Sequence, residues 1–351
     1  MAADATEDRL TWLRILKEQE ALWSDEQFDL GQKALTDHGL ERPGDPASVS
    51  PRNTLNELSG REWIAETKSV WFQKGLGSKH PHAQIERQHP APYSYQDVMR
   101  LILFFTKSGE RVLDPFVGVA STLKACALSG RLGLGIELIP RWVELGRQRL
   151  AEEVGQQALE TQQIVEGDAA VLLSDLDLFP DESFDFMVCS PPYWAILNKK
   201  ADHKVRSERI ANGLATTYSD EAADLGNIDS YDRFLAAVCG VFDQCWRVLK
   251  PGRYASIVVS DFRHGSRYIA YHADLIDRLT NAHAGGLFEL QGVTILAQNH
   301  KRLYPYGYPS TYVQNIHHQY ILILRKPKSA YPDRNRLKIA NGRIRDTNGH
   351  G

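Results

Sequence analysis

With 351 residues, 42% of them hydrophobic, the chain has enough material for the core of one large α/β domain with additions, or of two modest domains. A formal net charge of -3 excludes a global pull toward nucleic acid, so any surface for such a partner must come from local clusters of basic residues. The four cysteines, Cys126, Cys189, Cys239 and Cys245, show neither C-x-x-C spacing nor a nearby histidine arrangement typical of zinc, which predicts buried thiols and no metal. The acidic start lacks a cationic stretch followed by an apolar run, and no segment reaches the length of a membrane span; a cytoplasmic protein with no membrane partner is expected.

Along the chain, Leu10, Leu13, Ile15, Leu16, Leu22 and Trp23 recur at helical spacing before Pro43, Gly44, Asp45 and Pro46 interrupt them, predicting a helical N-terminal extension and linker over residues 1–50. Residues 51–92 interleave Arg52, Arg61, Lys68, Lys74, Lys79 and Arg87 with Trp63, Trp71, Phe72 and several histidines, the composition of a recognition lobe or of an arm lying on the main domain. Residues 93–328 then alternate strand and helix, the pattern of a mostly parallel sheet. Seven strands are predicted: Arg111 to Asp114, Gly133 to Glu137, Gln163 to Glu166, Phe184 to Cys189, Tyr254 to Val259, Leu287 to Leu296 and His318 to Arg325. Helices are predicted from Ser121 to Ser129, Arg141 to Val154, Tyr231 to Leu249 and Tyr268 to Ala284. The remaining 329–351 read as a polar, solvated tail.

Three strands in succession end in an acid. The first runs into Asp114-Pro115-Phe116-Val117-Gly118-Val119-Ala120-Ser121-Thr122, a small-residue turn opening a helix, the usual binding crevice of an open α/β sheet. Gly118 lets the backbone approach a ligand there. Glu137 follows roughly twenty residues after that turn, where a carboxylate can accept from both hydroxyls of a ribose. Asp168 ends the next strand and can accept from an adenine amino group, although such an acid more often serves as a helix N-cap. A dinucleotide would ask for a Gly-x-Gly-x-x-Gly loop, which is absent; a cofactor with an amino group, a ribose and an adenine but no phosphates points to S-adenosylmethionine.

The fourth strand leads into Ser190-Pro191-Pro192-Tyr193-Trp194. Two consecutive prolines fix their own φ and donate no backbone hydrogen bonds, so the chain leaves the sheet rigidly with carbonyls free to accept. That suits an exocyclic base amine, whose lone pair is delocalised into the ring: acceptance of its protons at the Ser190 side chain and the Pro191 carbonyl draws the nitrogen toward tetrahedral geometry. Tyr193 and Trp194 can stack on a base that has left its duplex.

On these motifs the chain resembles the amino-methylating DNA methyltransferases, the N4-cytosine and N6-adenine group. The cofactor motif of that family, Asp-Pro-Phe-x-Gly-x-Gly-Thr, matches Asp114 to Thr122, and its catalytic motif, (Ser/Asn/Asp)-Pro-Pro-(Tyr/Phe/Trp), matches Ser190 to Tyr193. The resemblance runs from about His89 to Lys328. It implies a Rossmann-like methyltransferase fold: α/β, with a mostly parallel seven-stranded sheet and an antiparallel last strand. Asp114, Pro115, Phe116, Gly118, Ser121, Thr122, Glu137, Asp168 and Ser190 are then the candidates for holding S-adenosylmethionine, and Ser190, Pro191, Pro192 and Tyr193 for catalysis. His89 to Tyr95 resembles the family's upstream motif that supports the methionine end. One departure is Ala120, where the second glycine is usual. The activity implied is transfer to N4 of cytosine in DNA, with N6-adenine, and then RNA, as alternatives; a restriction endonuclease or a phage-defence system is a compatible partner. C5-cytosine chemistry is disfavoured, since Cys189 precedes the motif instead of following a proline.

Because the cofactor motif precedes the catalytic one with little between them, the target sequence must be read elsewhere. Candidates for DNA contact are Trp194, the basic stretch with Lys199, Lys200, Lys204 and Arg206, and the tyrosine-rich loop with Lys301, Arg302 and Tyr304. Tyrosines of that loop can fill the gap left by a flipped base or pack on one another. His317 and His318, neighbours on a strand, point to opposite faces and make no metal pair.

Overall fold

The computed structural model describes residues 49–73, 80–90, 93–194, 221, 223–299 and 301–328. The expected extension over residues 10–40, Lys74, Lys79, the four basic residues Lys199, Lys200, Lys204 and Arg206, and the expected tail lie outside the described residues.

Ten strands are described: β1 (Val70–Phe72), β2 (Arg111–Asp114), β3 (Leu132–Glu137), β4 (Gln162–Glu166), β5 (Phe184–Cys189), β6 (Leu249–Val259), β7 (Phe262–His264), β8 (Arg267–Ile269), β9 (Glu289–Ala297) and β10 (His318–Arg325). Eight form one sheet in the order β1-β9-β10-β6-β5-β2-β3-β4. All seven expected strands are in it, and β10 runs antiparallel to both β6 and β9. The eighth, β1, comes from the basic and aromatic segment and pairs parallel with β9, so this segment lies on the sheet. Every residue of β5 is buried, as expected of a strand covered on both faces, and its one charged side chain, Asp185, is paired with Lys250 at 2.7 Å.

Helices cover both faces: α1 (Gly60–Glu66), α2 (Tyr95–Phe105), α3 (Ser121–Leu128), α4 (Pro140–Glu153), α5 (Ala158–Thr161), α6 (Ala169–Leu172), α7 (Tyr231–Val248) and α8 (Tyr271–Thr280). In α7 the residues Phe234, Leu235, Val238, Val241, Phe242, Cys245 and Val248 recur at three- and four-residue spacing, which buries one stripe against the sheet. Phe105 of α2 stacks on Phe186 of β5, 5.2 Å between centroids, on the opposite face. The helix expected from Tyr268 begins instead at Tyr271, because Gly265 at φ 62° turns the chain into the β7–β8 hairpin, where Tyr268 pairs with Arg263. Likewise β6 starts at Leu249, five residues before the expected Tyr254.

From β2 the chain winds outward through β3 and β4, then crosses back to β5 and β6 on the other side. The switch point therefore lies between β2 and β5, whose backbones pair in parallel. Loops leaving neighbouring parallel strands on either side of such a point open a crevice at their carboxyl ends. This is what brings the turn after Asp114 beside the turn after Cys189, although 76 positions separate Asp114 from Ser190 in the chain.

Candidate active site

A cavity of about 620 Å³ lies in that crevice. Its wall includes Pro115 to Val119 after β2, Glu137 at the end of β3, Asp168 after β4, and Ser190 to Tyr193 after β5. The expected residues Pro115, Phe116, Gly118, Ser121, Glu137, Asp168, Ser190, Pro191, Pro192 and Tyr193 thus share one cavity.

At its cofactor-like end, Glu137 is only 2% exposed, and its two carboxylate oxygens accept from the amides of Gly118 (3.0 Å) and Ile139 (2.9 Å). Those bonds hold the carboxylate against the turn, at the cavity wall. Gly118 has φ 52°, and a Cβ there would stand 3.2 Å from Nε2 of His89, so the turn needs glycine for conformation and for space. Ala120 also takes a left-handed conformation, φ 63°, at the position where the related motif has its second glycine. Asp168 caps α6, accepting from the amide of Ala170 at 2.8 Å, and lines the cavity as well.

Asp114 stands elsewhere. It is fully buried behind the cavity wall, and its carboxylate is engaged by the amide of Phe116 (2.9 Å), the hydroxyl of Tyr93 (2.7 Å) and the hydroxyl of Thr122. Asp114 and Thr122, expected to hold the cofactor, are thus not in the cavity wall; together they brace the turn and fix Tyr93, which does line the cavity. Burial pushes the Asp114 carboxyl up from 3.8 to about 6, against its three hydrogen bonds. A raised value in the folded state means that the contribution of this group to stability is complete below 3.8 and is lost as pH rises through about 6. Asp114→Asn is expected to lack this loss, so its unfolding free energy should gain about 3 kcal/mol on the wild type between the two ends of that window. Parallel pH profiles of the two proteins in urea unfolding would refute the assignment.

The segment over the cavity is anchored by a buried ionic cluster. Arg149 of α4 is fully buried and reaches Glu86 (2.6 Å), Glu153 (3.1 Å), the carbonyl of Val119 (3.1 Å) and the hydroxyl of Ser121 (2.9 Å). Lys124 completes the cluster on Glu153 at 2.6 Å. Burial lowers the Lys124 ammonium to about 8 despite that pairing. His89 packs edge-on against Trp142, 5.0 Å between ring centroids, and His89, Pro90, Tyr93 and Ser94 line the cavity. Arg149 and Glu153 face each other at i,i+4 spacing on one helix, but Glu86 and Lys124 come from other elements and carry no local signal of joining them.

At the other end, the hydroxyl of Tyr193 accepts from the amide of Ser260 at 2.9 Å, and its ring meets Phe262 and Tyr271 at 6.1 and 6.0 Å. The hydroxyl of Tyr271 donates to the carbonyl of Pro192 at 3.3 Å, holding the double proline in place. Asp261 lines the same end and accepts from His272 (2.7 Å) and Tyr268 (2.9 Å). Trp194, expected to stack on a base, is not part of the cavity wall: its indole N–H donates to the carbonyl of Ile228 (2.8 Å) and its ring stacks on His264 at 4.3 Å. Of the tyrosine-rich loop, Lys301 lines the cavity while Arg302 and Tyr304 do not. Tyr304 is tied to Asn315 by two hydrogen bonds, and Tyr308 and Tyr312 are each 83% exposed. Among the described residues, no group of three or more His, Cys, Asp or Glu is placed to hold a metal, and no helix is long and apolar enough to cross a membrane.

A mostly parallel sheet with its switch point at this cavity, acids at the ends of β3 and β4 and a Ser-Pro-Pro-Tyr turn after β5 define a Rossmann-like α/β domain. A family of N6 and N4 methyltransferases described as DNA methylase matches residues 31–148, which include the turn after Asp114 and stop short of Ser190. The chain is 33% identical over 100 residues to the type II methyltransferase M.MjaI of Methanocaldococcus jannaschii, covering 28% of this chain and 32% of that protein. It is 27% identical over 120 residues to the orphan methyltransferase M.BamHII of Bacillus amyloliquefaciens, covering 34% and 43%. Among solved structures, TrmN of Thermus thermophilus superposes with a TM-score of 0.42 at 15% identity, over 72% of this chain and 54% of that one. The resemblance read from the motifs is borne out over part of the chain: stretches covering about a third of it are similar to the amino-methylating DNA methyltransferases. The matched stretches span 32% and 43% of the lengths of those two curated relatives.

Proposed function

We propose that this protein transfers a methyl group from S-adenosylmethionine to an exocyclic amine of a DNA base, with N4 of cytosine as the acceptor. The observation that carries the reading is the opening of Ser190-Pro191-Pro192-Tyr193 into the same cavity as Glu137 and Asp168. The cavity suits such a cofactor: the nearly buried Glu137 carboxylate answers a ribose diol, and the Gly118 turn leaves room that a Cβ would fill. When bound, S-adenosylmethionine supplies a methyl group on a positively charged sulfur.

The chain's own residues then have distinct tasks. Glu137 takes the ribose hydroxyls, and the turn at Phe116 to Gly118, braced by Asp114, positions the cofactor. Ser190 and the Pro191 carbonyl accept the protons of the amine, which directs its lone pair at the methyl carbon. Positioning of the two reactants carries much of the rate, since charge disappears as the methyl moves. The acceptor base must leave its duplex to enter the cavity; Lys301 at the rim and the exposed Tyr308 and Tyr312 of the same loop suit contact with the DNA it leaves. Lys199, Lys200, Lys204 and Arg206 follow the catalytic turn in the chain and are proposed as phosphate contacts, which predicts binding that weakens steeply with salt.

Serine at the first position of the motif favours cytosine N4 by family resemblance, and N6 of adenine presents the same amine geometry. Mass analysis of nucleosides from DNA treated with the protein and labelled S-adenosylmethionine decides: N4-methylcytosine is expected, N6-methyladenine would reassign the base, and label in RNA but not in duplex DNA would overturn the reading. Glu137→Gln is expected to weaken S-adenosylmethionine binding in calorimetry by about 30-fold or more, the loss of charge-assisted hydrogen bonds to the ribose. Unchanged affinity would remove Glu137 from the site.

A further inference from the structure

Three glutamines on three elements share the wall of the cavity: Gln73 follows β1, Gln298 follows β9, and Gln319 lies in β10. Their strands are neighbours in the sheet, and β10 lies next to β6. Because β10 runs antiparallel to β6, with Tyr320 opposite Val259, its first residues stand at the carboxyl end of β6. That is the amine end of the cavity. There Ser260 donates its amide to the hydroxyl of Tyr193 (2.9 Å) and its own hydroxyl to the carbonyl of His318, the residue before Gln319 (3.3 Å).

The three side-chain amides form a chain whose direction is set from one end. Nε2 of Gln73 donates to Oδ2 of Asp97 at 2.8 Å, and a carboxylate oxygen only accepts, so Gln73 presents its carbonyl to Gln298. Nε2 of Gln298 donates to that carbonyl (2.8 Å) and to Oε1 of Gln319 (3.1 Å). Reversing Gln298 would set its carbonyl against two others. The orientation holds although Oε1 of Gln298, a residue only 6% exposed, has no hydrogen-bond partner among the described residues. Gln319 in turn cannot be reversed, since its Nε2 would then face the Nε2 of Gln298. With its carbonyl engaged inside the wall, the polar group that this side chain has to offer the cavity is a donor, Nε2.

A base that has left its duplex is read along the edge that paired there. Beside the exocyclic amine that edge carries an unprotonated ring nitrogen, N3 in cytosine and N1 in adenine, whereas thymine carries an N–H at the same place. We propose that Gln319 is a base-reading residue: its Nε2 donates to the ring nitrogen next to the reacting amine, and Asp97, Gln73 and Gln298 hold it in the donor orientation. Thymine would set an N–H against that N–H, so the same contact selects for amine-bearing bases and against their carbonyl counterpart. The inference rests on the methyl transfer proposed above and adds how the acceptor is chosen.

The test uses the full-length protein and an oligonucleotide carrying the base that it methylates, in two forms: natural, and with C–H in place of that ring nitrogen. Gln319→Met is expected to lower kcat/KM on the natural form about tenfold or more, with S-adenosylmethionine affinity in calorimetry unchanged, because an acceptor on the base loses its donor. On the altered form the two proteins should agree within about twofold. Gln319→Glu keeps an oxygen for Gln298 and regains a donor only when protonated. Its kcat/KM relative to wild type should therefore rise as pH falls from about 8 to about 5, while that of Gln319→Met stays level. Wild-type kcat/KM in Gln319→Met, a difference that persists on the altered oligonucleotide, or a Gln319→Glu ratio that is flat with pH would each overturn the proposal alone. A wild-type protein that binds S-adenosylmethionine yet methylates no nucleic acid sinks the functional reading, and this inference with it.

Discussion

Replacing Ser190 by alanine is expected to lower kcat by about 10² to 10³ while leaving S-adenosylmethionine affinity within about twofold of wild type, a loss of the size seen when one group aimed at a transition state is removed. The reasoning is chemical before it is structural. An exocyclic amine conjugated to its ring has little lone-pair density to offer, and acceptors on its protons restore it only as the nitrogen becomes tetrahedral. In the proposed reaction Ser190 does this from a position set by the buried β5 and by the double proline, which Tyr271 holds through the Pro192 carbonyl. Tyr193→Ala should share the pattern, since its hydroxyl is fastened at Ser260 and its ring fills the space between Phe262 and Tyr271. Calorimetry and single-turnover kinetics on the same preparations separate binding from chemistry. If Ser190→Ala lost the cofactor as fully as Glu137→Gln does, the division of the cavity into a cofactor end and an amine end would be wrong.

The largest effect on stability is expected from Arg149→Met. Its guanidinium is fully buried and serves four partners on three segments: Glu86 before the cavity, Glu153 of its own helix, and Val119 with Ser121 in the cofactor-like turn. Methionine fills much of the volume, but Glu86 is left with a carboxylate that burial already makes reluctant to ionise. Breaking one side of a buried ion cluster costs about 3–5 kcal/mol. The loss should be visible in urea unfolding at neutral pH. It should also loosen the segment that carries His89 and Pro90 onto the cavity, so cofactor affinity should fall in the same variant. Glu86→Gln keeps a polar partner for the arginine and should be milder. A loss under about 1 kcal/mol in Arg149→Met would show that Lys124 and the surrounding backbone suffice to hold this corner.

Much of this was legible in the order of residues. Strands of a parallel sheet covered on both faces are largely apolar, and β2, β3 and β5 read so, each ended by an acid or a turn-forming cluster. The Pro115 to Gly118 turn and the double proline are local signals: a left-handed glycine and two fixed φ angles act within a few residues. Other parts were not legible, each for a physical reason. Strand β1 has only three residues and is stabilised by its place beside β9, which no periodicity in Val70–Phe72 announces. The β7–β8 hairpin hides behind a helical pattern that truly starts at Tyr271. Trp194 looked free to stack on a base, but its indole N–H found the Ile228 carbonyl 34 positions away.

By itself, then, the sequence determined the α/β class, the strands around the switch point and the motifs of an amino-methylating enzyme, because these depend on side-chain period and on backbone restrictions within a few residues. Only the tertiary structure decided that Asp114 braces the turn from behind, that Arg149 ties three segments together, and that Gln73, Gln298 and Gln319 hydrogen-bond to one another. Hydrogen bonds and buried charges are satisfied by whatever group the fold brings within about 3 Å, and partners 225 positions apart, such as Gln73 and Gln298, become neighbours only when the strands between them are ordered in the sheet.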